Sequence, residues 1–260
     1  MMTRSVWTND KIQYLKEHYP YDNYDSMCEY LQCTLRALKH ISNELRLKRN
    51  RGYIINQTFF DTWSHDMAYI LGFTITDGCI GDDDRLSFGV AEKDTCILDY
   101  ISKNLAPGKL SSKYIQHHKK GGVYHTSYFK FTSKYIAKQL SKYYVVPRKT
   151  GLEKLPICPE EFKNDLLRGI FDGDGWAHIS NKKTGQVTFT ICSASESFLK
   201  SIQENLGFNF GYVRQVDMGP GSLDHFRWCV YKQKDVRLLA DYMYSTNGFC
   251  LERKRKIFYE

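Results

Sequence analysis

The sequence predicts an α+β protein, with a small helical unit at the N-terminus followed by two copies of one mixed unit. Three observations carry this expectation. Apolar residues recur at spacings of three and four behind threonine caps within residues 1–50. Two segments, "MAYILGFTITDGCI" (Met67–Ile80) and "LLRGIFDGDGWA" (Leu166–Ala177), each run from an apolar stretch into Asp-Gly. After each of them the same order of strand, helix, hairpin and helix follows, which is the mark of an internal repeat.

Composition sets the limits. The 260 residues are 42% hydrophobic and 25% charged, enough apolar material for a sizeable core. No apolar run approaches the roughly 18 residues of a membrane span. The opening "MMTRSVWTND" lacks the apolar core of a secretory signal, so an intracellular, cytoplasmic chain is expected. The formal net charge of +8 attracts polyanions at long range, though a plain basic protein would show it too. The eight cysteines form no CxxC pair and none sits beside a histidine at zinc-ligand spacing, so free thiols are expected. His117, His118 and His125 fall on an expected hairpin, as surface or phosphate-contacting groups.

Within residues 1–50, Thr8 can cap a first helix with Ile12, Leu15 and Tyr19 on one stripe. "YDSMCEYL" forms a second. Thr34 can cap a third, with Leu38, Ile41 and Leu45 on one side and Arg36, Lys39, His40 and Asn43 on the other. The basic run "RLKRNR" follows, with Arg46, Lys48, Arg49 and Arg51. Three short helices with a basic face on the last have the plan of a helix-turn-helix DNA reader, or of an ordinary bundle with a solvated face. This segment resembles the Myb/SANT-like repeat, with an early Trp7 and Thr34-x-x-Ala37 opening the third helix; Gln32 stands where a glycine is usual.

Residues 51–65 read as a linker whose aromatics Phe59, Phe60 and Trp63 pack onto the next domain. A second break, from Tyr144 to Glu161, holds three of the six prolines. Two blocks remain, 66–150 and 151–260. Aligned, Gly72 matches Gly169, Asp77 matches Asp174 and Gly78 matches Gly175. "RLSFGVA" then corresponds to "QVTFTIC", "DTCILDYISKNL" to "SESFLKSIQENL", and hairpins turning at Gly121-Gly122 and Gly219-Pro220-Gly221 follow.

The repeat raises a problem of charge. A helix C-terminus is already partly negative, yet Asp77 and Asp174 sit at such ends. Gly72 with Thr76, and Gly169 with Gly173, make smooth faces that let two helices approach closely. Gly78 and Gly175 are expected in the left-handed conformation that ends a helix. Pairing the helices brings both carboxylates together, which is unfavourable without a cation. Carboxylates plus the carbonyls of Thr76 and Gly173 are a hard-ligand set for Mg²⁺ or Mn²⁺. A calcium-loop reading of "DGDGWAHISNKK" fails, because Trp176, Ala177 and Lys183 occupy its fifth, glycine and terminal glutamate positions. Two glycine-capped helices with exposed aspartates is the plainer alternative.

"ILGFTITDG" and "LRGIFDGDG" resemble the two motifs of a single-chain LAGLIDADG homing endonuclease, with Ile75 in place of the sixth-position acid of the first motif. The resemblance covers about residues 55–260. It implies a pseudo-dimeric tandem αββαββα fold, motif helices at the interface and two antiparallel sheets forming a saddle on DNA. It implies an endonuclease that hydrolyses one phosphodiester in each strand, leaving a staggered break. Asp77 and Asp174 would hold Mg²⁺, with Mn²⁺ as a substitute and Ca²⁺ binding without cleavage. Lys149 and Lys254 match the family's catalytic lysine after the last helix of each half, which would lie near the reacting phosphate and polarise water; simple phosphate contact is the alternative for Lys254. Glu92 and Ser193 fall where the family keeps a polar residue after the second strand.

Strand alternation puts Tyr128 and Lys130 on one face and makes Arg214 and Arg227 base readers in the second half. Lys113, Lys119, Lys120 and the basic run would contact phosphates. The expected partner is a long, nearly asymmetric duplex DNA site, bound by a monomer. The expected setting is a mobile intron or a free-standing gene of bacterial or phage type. An RNA-binding maturase and a catalytically silent DNA-binding regulator are the alternatives on this scaffold.

Overall fold

The computed structural model describes residues 7–22, 24–49, 52–117, 122–219 and 224–260, and divides into two units between Ile54 and Ile55. In the first unit, α1 (Asn9–His18) starts where Thr8 accepts the Lys11 amide, and α3 (Leu35–Glu44) where Thr34 accepts the Ala37 amide. Between them lies α2 (Tyr24–Leu31). Leu15, Tyr19, Met27, Leu31 and Leu38 close a small core of their own. Gln32 has φ of +51°, a left-handed turn that explains why glycine is the easier residue there.

The second unit is built twice. Its first half runs α4 (His65–Thr76), β1 (Gly78–Ile80), β2 (Arg85–Ala91), α5 (Thr95–Leu105), β3 (Ser112–His117), β4 (Val123–Thr132) and α6 (Lys134–Lys142). The second half runs α7 (Lys163–Asp174), β5 (Gly175–Asn181), β6 (Gln186–Ser193), α8 (Glu196–Asn205), β7 (Tyr212–Gln215), β8 (Phe226–Val230) and α9 (Gln233–Met243). The expected helix–two strands–helix–two strands–helix order is therefore present in each. A last helix, α10 (Glu252–Tyr259), follows.

Each half has a four-stranded antiparallel sheet, ordered β1-β2-β4-β3 and β5-β6-β8-β7. Helices cover one face of each sheet. Phe73, Phe88, Phe129 and Phe131 fill the first core, and Phe171, Phe189 and Trp228 the second. Period-two alternation then leaves the other face of each sheet free of helices.

Two expectations are corrected. The linker ends earlier than residue 65: Asn56 donates to the Leu105 carbonyl at 2.9 Å, Phe60 is fully buried, and Ser64 caps α4. Residues 55–64 thus belong to the second unit. Nor do Gly78 and Gly175 adopt positive φ; Gly175 is extended at φ −98°, and neither is among the left-handed glycines. They are glycines for space. A methyl on Gly78 would crowd Thr74, and one on Gly175 would crowd Phe171, where each helix turns straight into a strand.

Candidate functional site

Helices α4 and α7 pack against each other more extensively than any other helix pair among the described residues. A methyl on Gly72 would overlap the Leu166 carbonyl and lie 2.9 Å from the Ile170 nitrogen. One on Gly169 would overlap the Tyr69 carbonyl and lie 2.9 Å from the Phe73 nitrogen. Nearer the C-terminal ends, the Thr76 side chain fills the space a methyl on Gly173 would need. The small residues therefore permit direct contact of backbones, as their spacing implied.

That contact sets the acids side by side. Asp77 is the C-cap of α4 and Asp174 the last residue of α7. The Asp77 Oδ2 lies 3.6 Å from the Cβ position on Gly173, the residue next to Asp174. Among the described residues neither carboxylate takes part in a hydrogen bond or an ion pair. Burial raises the pKa of both, and proximity to Asp77 pushes Asp174 further, to about 6. The site holds two acids that cost free energy to ionise and have no protein donor to relieve them.

Two lysines answer the negative helix ends. Lys149, in the loop after α6, donates to the Thr76 carbonyl at 2.8 Å. Lys254, on α10, is 5% exposed and donates to the carbonyls of Phe171, Asp172, Gly173 and Gly175 at 2.9, 2.8, 3.4 and 2.6 Å. Each ammonium covers carbonyls at the C-terminal end of its helix. Lys254 is enclosed, which corrects the alternative of a simple phosphate contact, and the carbonyls of Thr76 and Gly173 accept from lysines. Burial lowers the pKa of both lysines, against the pull of the nearby carboxylates.

Sequence reasoning missed the residues that hold these groups in place. Asp172 is buried, accepts from the Tyr69 hydroxyl and the Leu251 amide at 2.8 Å each, and so fixes the start of α10. Arg253 grips Asp94 of the first half through two bonds of 2.5 and 2.7 Å. Glu153, in the loop between halves, accepts from Ser193 at 3.5 Å, and its carbonyl accepts from Ser195 at 3.4 Å. At the far end of the helix pair, Arg168 is buried against Asp165, and His65 reaches Asp165 at 2.6 Å. The doubled acid of "DGDG" was a visible signal for Asp172. Arg168 and Asp165 are three residues apart on α7; the remaining partners lie 40 to 159 residues apart and leave no local pattern.

Ser193 thus serves the Glu153 loop and the Ser195 amide. Glu92 lies outside the site: it pairs with Lys113 at 2.8 Å and His125 at 3.6 Å, and Lys113 lowers its pKa. Lys113 is therefore partnered. Its register partner is Ser127, so it faces away from Tyr128 and Lys130.

Tyr128 and Lys130 do share the open face of the first sheet, and Arg214 and Arg227 stand directly opposite each other on that of the second. Lys119 and Lys120 lie outside the described residues, as does Arg51. In the first unit, Arg36, Lys39, His40, Asn43, Arg46 and Lys48 are exposed. Arg49 is structural: it donates to the carbonyls of Tyr19 and Asp22 and lies 5.0 Å from the centre of the Tyr24 ring.

No group of three or more His, Cys, Asp or Glu able to hold a metal exists among the described residues. A pair of carboxylates still fits Mg²⁺, which keeps several waters and takes one or two carboxylates plus substrate phosphates. The unbonded, raised acids are the observation that supports such a fit.

Residues 161–224 match the model of a LAGLIDADG-like domain. No curated protein matches the chain. Among solved structures, the homing endonuclease I-WcaI bound to its DNA recognition sequence aligns over 79% of this chain and 98% of its own, at 13% identity and a TM-score of 0.51. The LAGLIDADG meganuclease I-AabMI bound to uncleaved DNA aligns over 73% and 86%, at 15% identity and 0.45. The I-LtrWI LAGLIDADG homing endonuclease bound to target DNA aligns over 77% and 88%, at 13% identity and 0.44. At such identities the likeness is one of fold, and the fold is that of LAGLIDADG homing endonucleases.

Proposed function

We propose that the chain is a site-specific DNA endonuclease that hydrolyses one phosphodiester in each strand of a duplex and leaves a staggered double-strand break. The observation that carries this reading is the pair Asp77 and Asp174, brought together by glycine contact and left without a partner. Mg²⁺ held between them, or Mn²⁺ in its place, would supply an activated water and relieve charge on the reacting and leaving oxygens.

The chain's own groups do the rest. Lys149 and Lys254 fix the two helix ends, and their charge offsets part of the rise that burial imposes on the acids. The open sheet faces present Tyr128, Lys130 and Arg214 to the grooves, where a β-ribbon reads base edges. The first unit, as a Myb-like helix-turn-helix, adds phosphate and groove contacts through the exposed face of α3. One chain supplies both halves of the site, so a monomer suffices.

The test is cleavage of the DNA flanking the chain's own gene, joined as an uninterrupted duplex, in Mg²⁺. Asp77→Asn and Asp174→Asn should each abolish double-strand cutting and retain binding in Ca²⁺. Binding by the unaltered protein without any cutting would make it a DNA-binding regulator. Preference for folded intron RNA over the duplex would make it a maturase.

A further inference from the structure

Two halves built alike need not work alike, and strand register allows them to be compared place by place. Gly78, Phe88 and Phe129 are successive partners across β1, β2 and β4. Gly175, Ile191 and Trp228 are the same across β5, β6 and β8. Counting from these rows, Cys192 and Arg227 in the second half occupy the places of Gly89 and Tyr128 in the first. Trp176 takes the place of Cys79, and Arg214 that of Ser112.

The second-half group touches the site. The Cys192 thiol donates to the carbonyl of Asp174 at 3.3 Å, and Arg227 is its direct cross-strand partner. The guanidinium lies 5.1 Å from the centre of the Trp176 ring, two residues beyond Asp174. That ring covers one face of the fork, the Arg227 Nε donates to the His225 Nε2 at 3.4 Å, and the two terminal nitrogens have no hydrogen-bond partner among the described residues. Arg227 forms no ion pair among the described residues, and a second arginine, Arg214, stands directly opposite it. Like charges at such a place are destabilising unless an anion covers them. In the first half the Tyr128 ring lies over Gly89, where a methyl would come 2.6 Å from it, and no cation stands at that row.

We propose that Arg227 is a catalytic residue of the second half alone, binding the non-bridging oxygens of the scissile phosphate beside Asp174, so that the two strands are cut at different rates. The proposal rests on the nuclease reading. In hydrolysis a water oxygen bonds to phosphorus as the bond to the leaving oxygen breaks, and the water's proton ends on that oxygen. The transition state carries extra negative charge on the non-bridging oxygens. A forked donor held by Trp176 stabilises that charge on one strand. The phosphate on the other strand has only the acids and their ion.

The experiment is a single-turnover time course in Mg²⁺ on the duplex recovered by the flanking-DNA screen, each strand labelled separately. The unaltered protein should pass through an intermediate nicked in one particular strand. Arg227→Ala should slow that strand about 10- to 100-fold and change the other by about 2-fold or less, removing or reversing the order of cutting. Arg227→Lys, which keeps charge and loses the fork, should fall between. Arg214→Ala should weaken binding and leave the strand ratio unchanged. Thermal unfolding of each variant separates a folding defect, which lowers both strands together. Equal rates in the unaltered protein, or equal slowing of both strands by Arg227→Ala with the fold intact, would overturn the assignment. A protein that cuts neither strand refutes the nuclease reading and takes this assignment with it.

Discussion

A carboxylate whose pKa rises on folding is a liability at neutral pH, and Asp174 is such a group. Its folded pKa of about 6 lies above the ordinary aspartate value of 3.8, and the causes are burial first and Asp77 second. The folded state binds the proton more tightly, so protonation favours folding and this contribution is lost as pH rises through about 6. Asp172 is also raised to about 6 by burial and adds to the same trend. Without divalent ions, Asp174→Asn should therefore stabilise the protein at pH 8 by roughly 1–2 kcal/mol and by about half as much at pH 5. Thermal unfolding at the two values checks it. Cutting in Mg²⁺ should run the opposite way, falling as pH drops through about 6 because the ion needs the ionised acids. A flat rate from pH 5 to 8 in single-turnover assays would contradict this.

At the scale of elements, the decisive contact is backbone against backbone. Gly72 and Gly169 leave no room for a methyl, and the atoms in the way are main-chain atoms that cannot rotate aside. Gly169→Ala should cost about 3 kcal/mol in denaturant unfolding and should abolish cutting, because separated helices no longer align their acids. This interface was legible in the sequence, since small residues four apart recur in both motifs. The strands and helices were legible for the same reason: α5 and β2 were readable from periodicity alone. The left-handed caps expected at Gly78 and Gly175 were misread, because glycine marks lack of space as well as left-handed backbone, and sequence does not separate the two. Lys254 could be placed near α7 by resemblance, but its burial depends on α10 folding back over the α7 carbonyls, which no local pattern records.

For the whole molecule, the basic charge is divided between two units with separate cores. If the first unit only contacts phosphates and grooves, removing residues 1–54 should weaken affinity and leave the single-turnover rate at saturation within about 2-fold. Loss of contacts from Arg36, Lys39, Arg46 and Lys48 should reduce the slope of log K against log salt by roughly 3–4. Titrations at several salt concentrations read this directly, and an unchanged slope would remove the first unit from the DNA interface.

The joining loop and the C-terminal helix each touch both halves. The loop brings Lys149 to the end of α4 and Glu153 to Ser193 and Ser195, while α10 brings Lys254 to α7 and Arg253 to Asp94. Anyone grafting one half onto a foreign partner would find that the boundary drawn between α6 and α7 is the wrong seam. A working chimaera must carry the loop together with the surface that Glu153 occupies, and α10 together with Asp94, so that the crossed handshake is inherited whole.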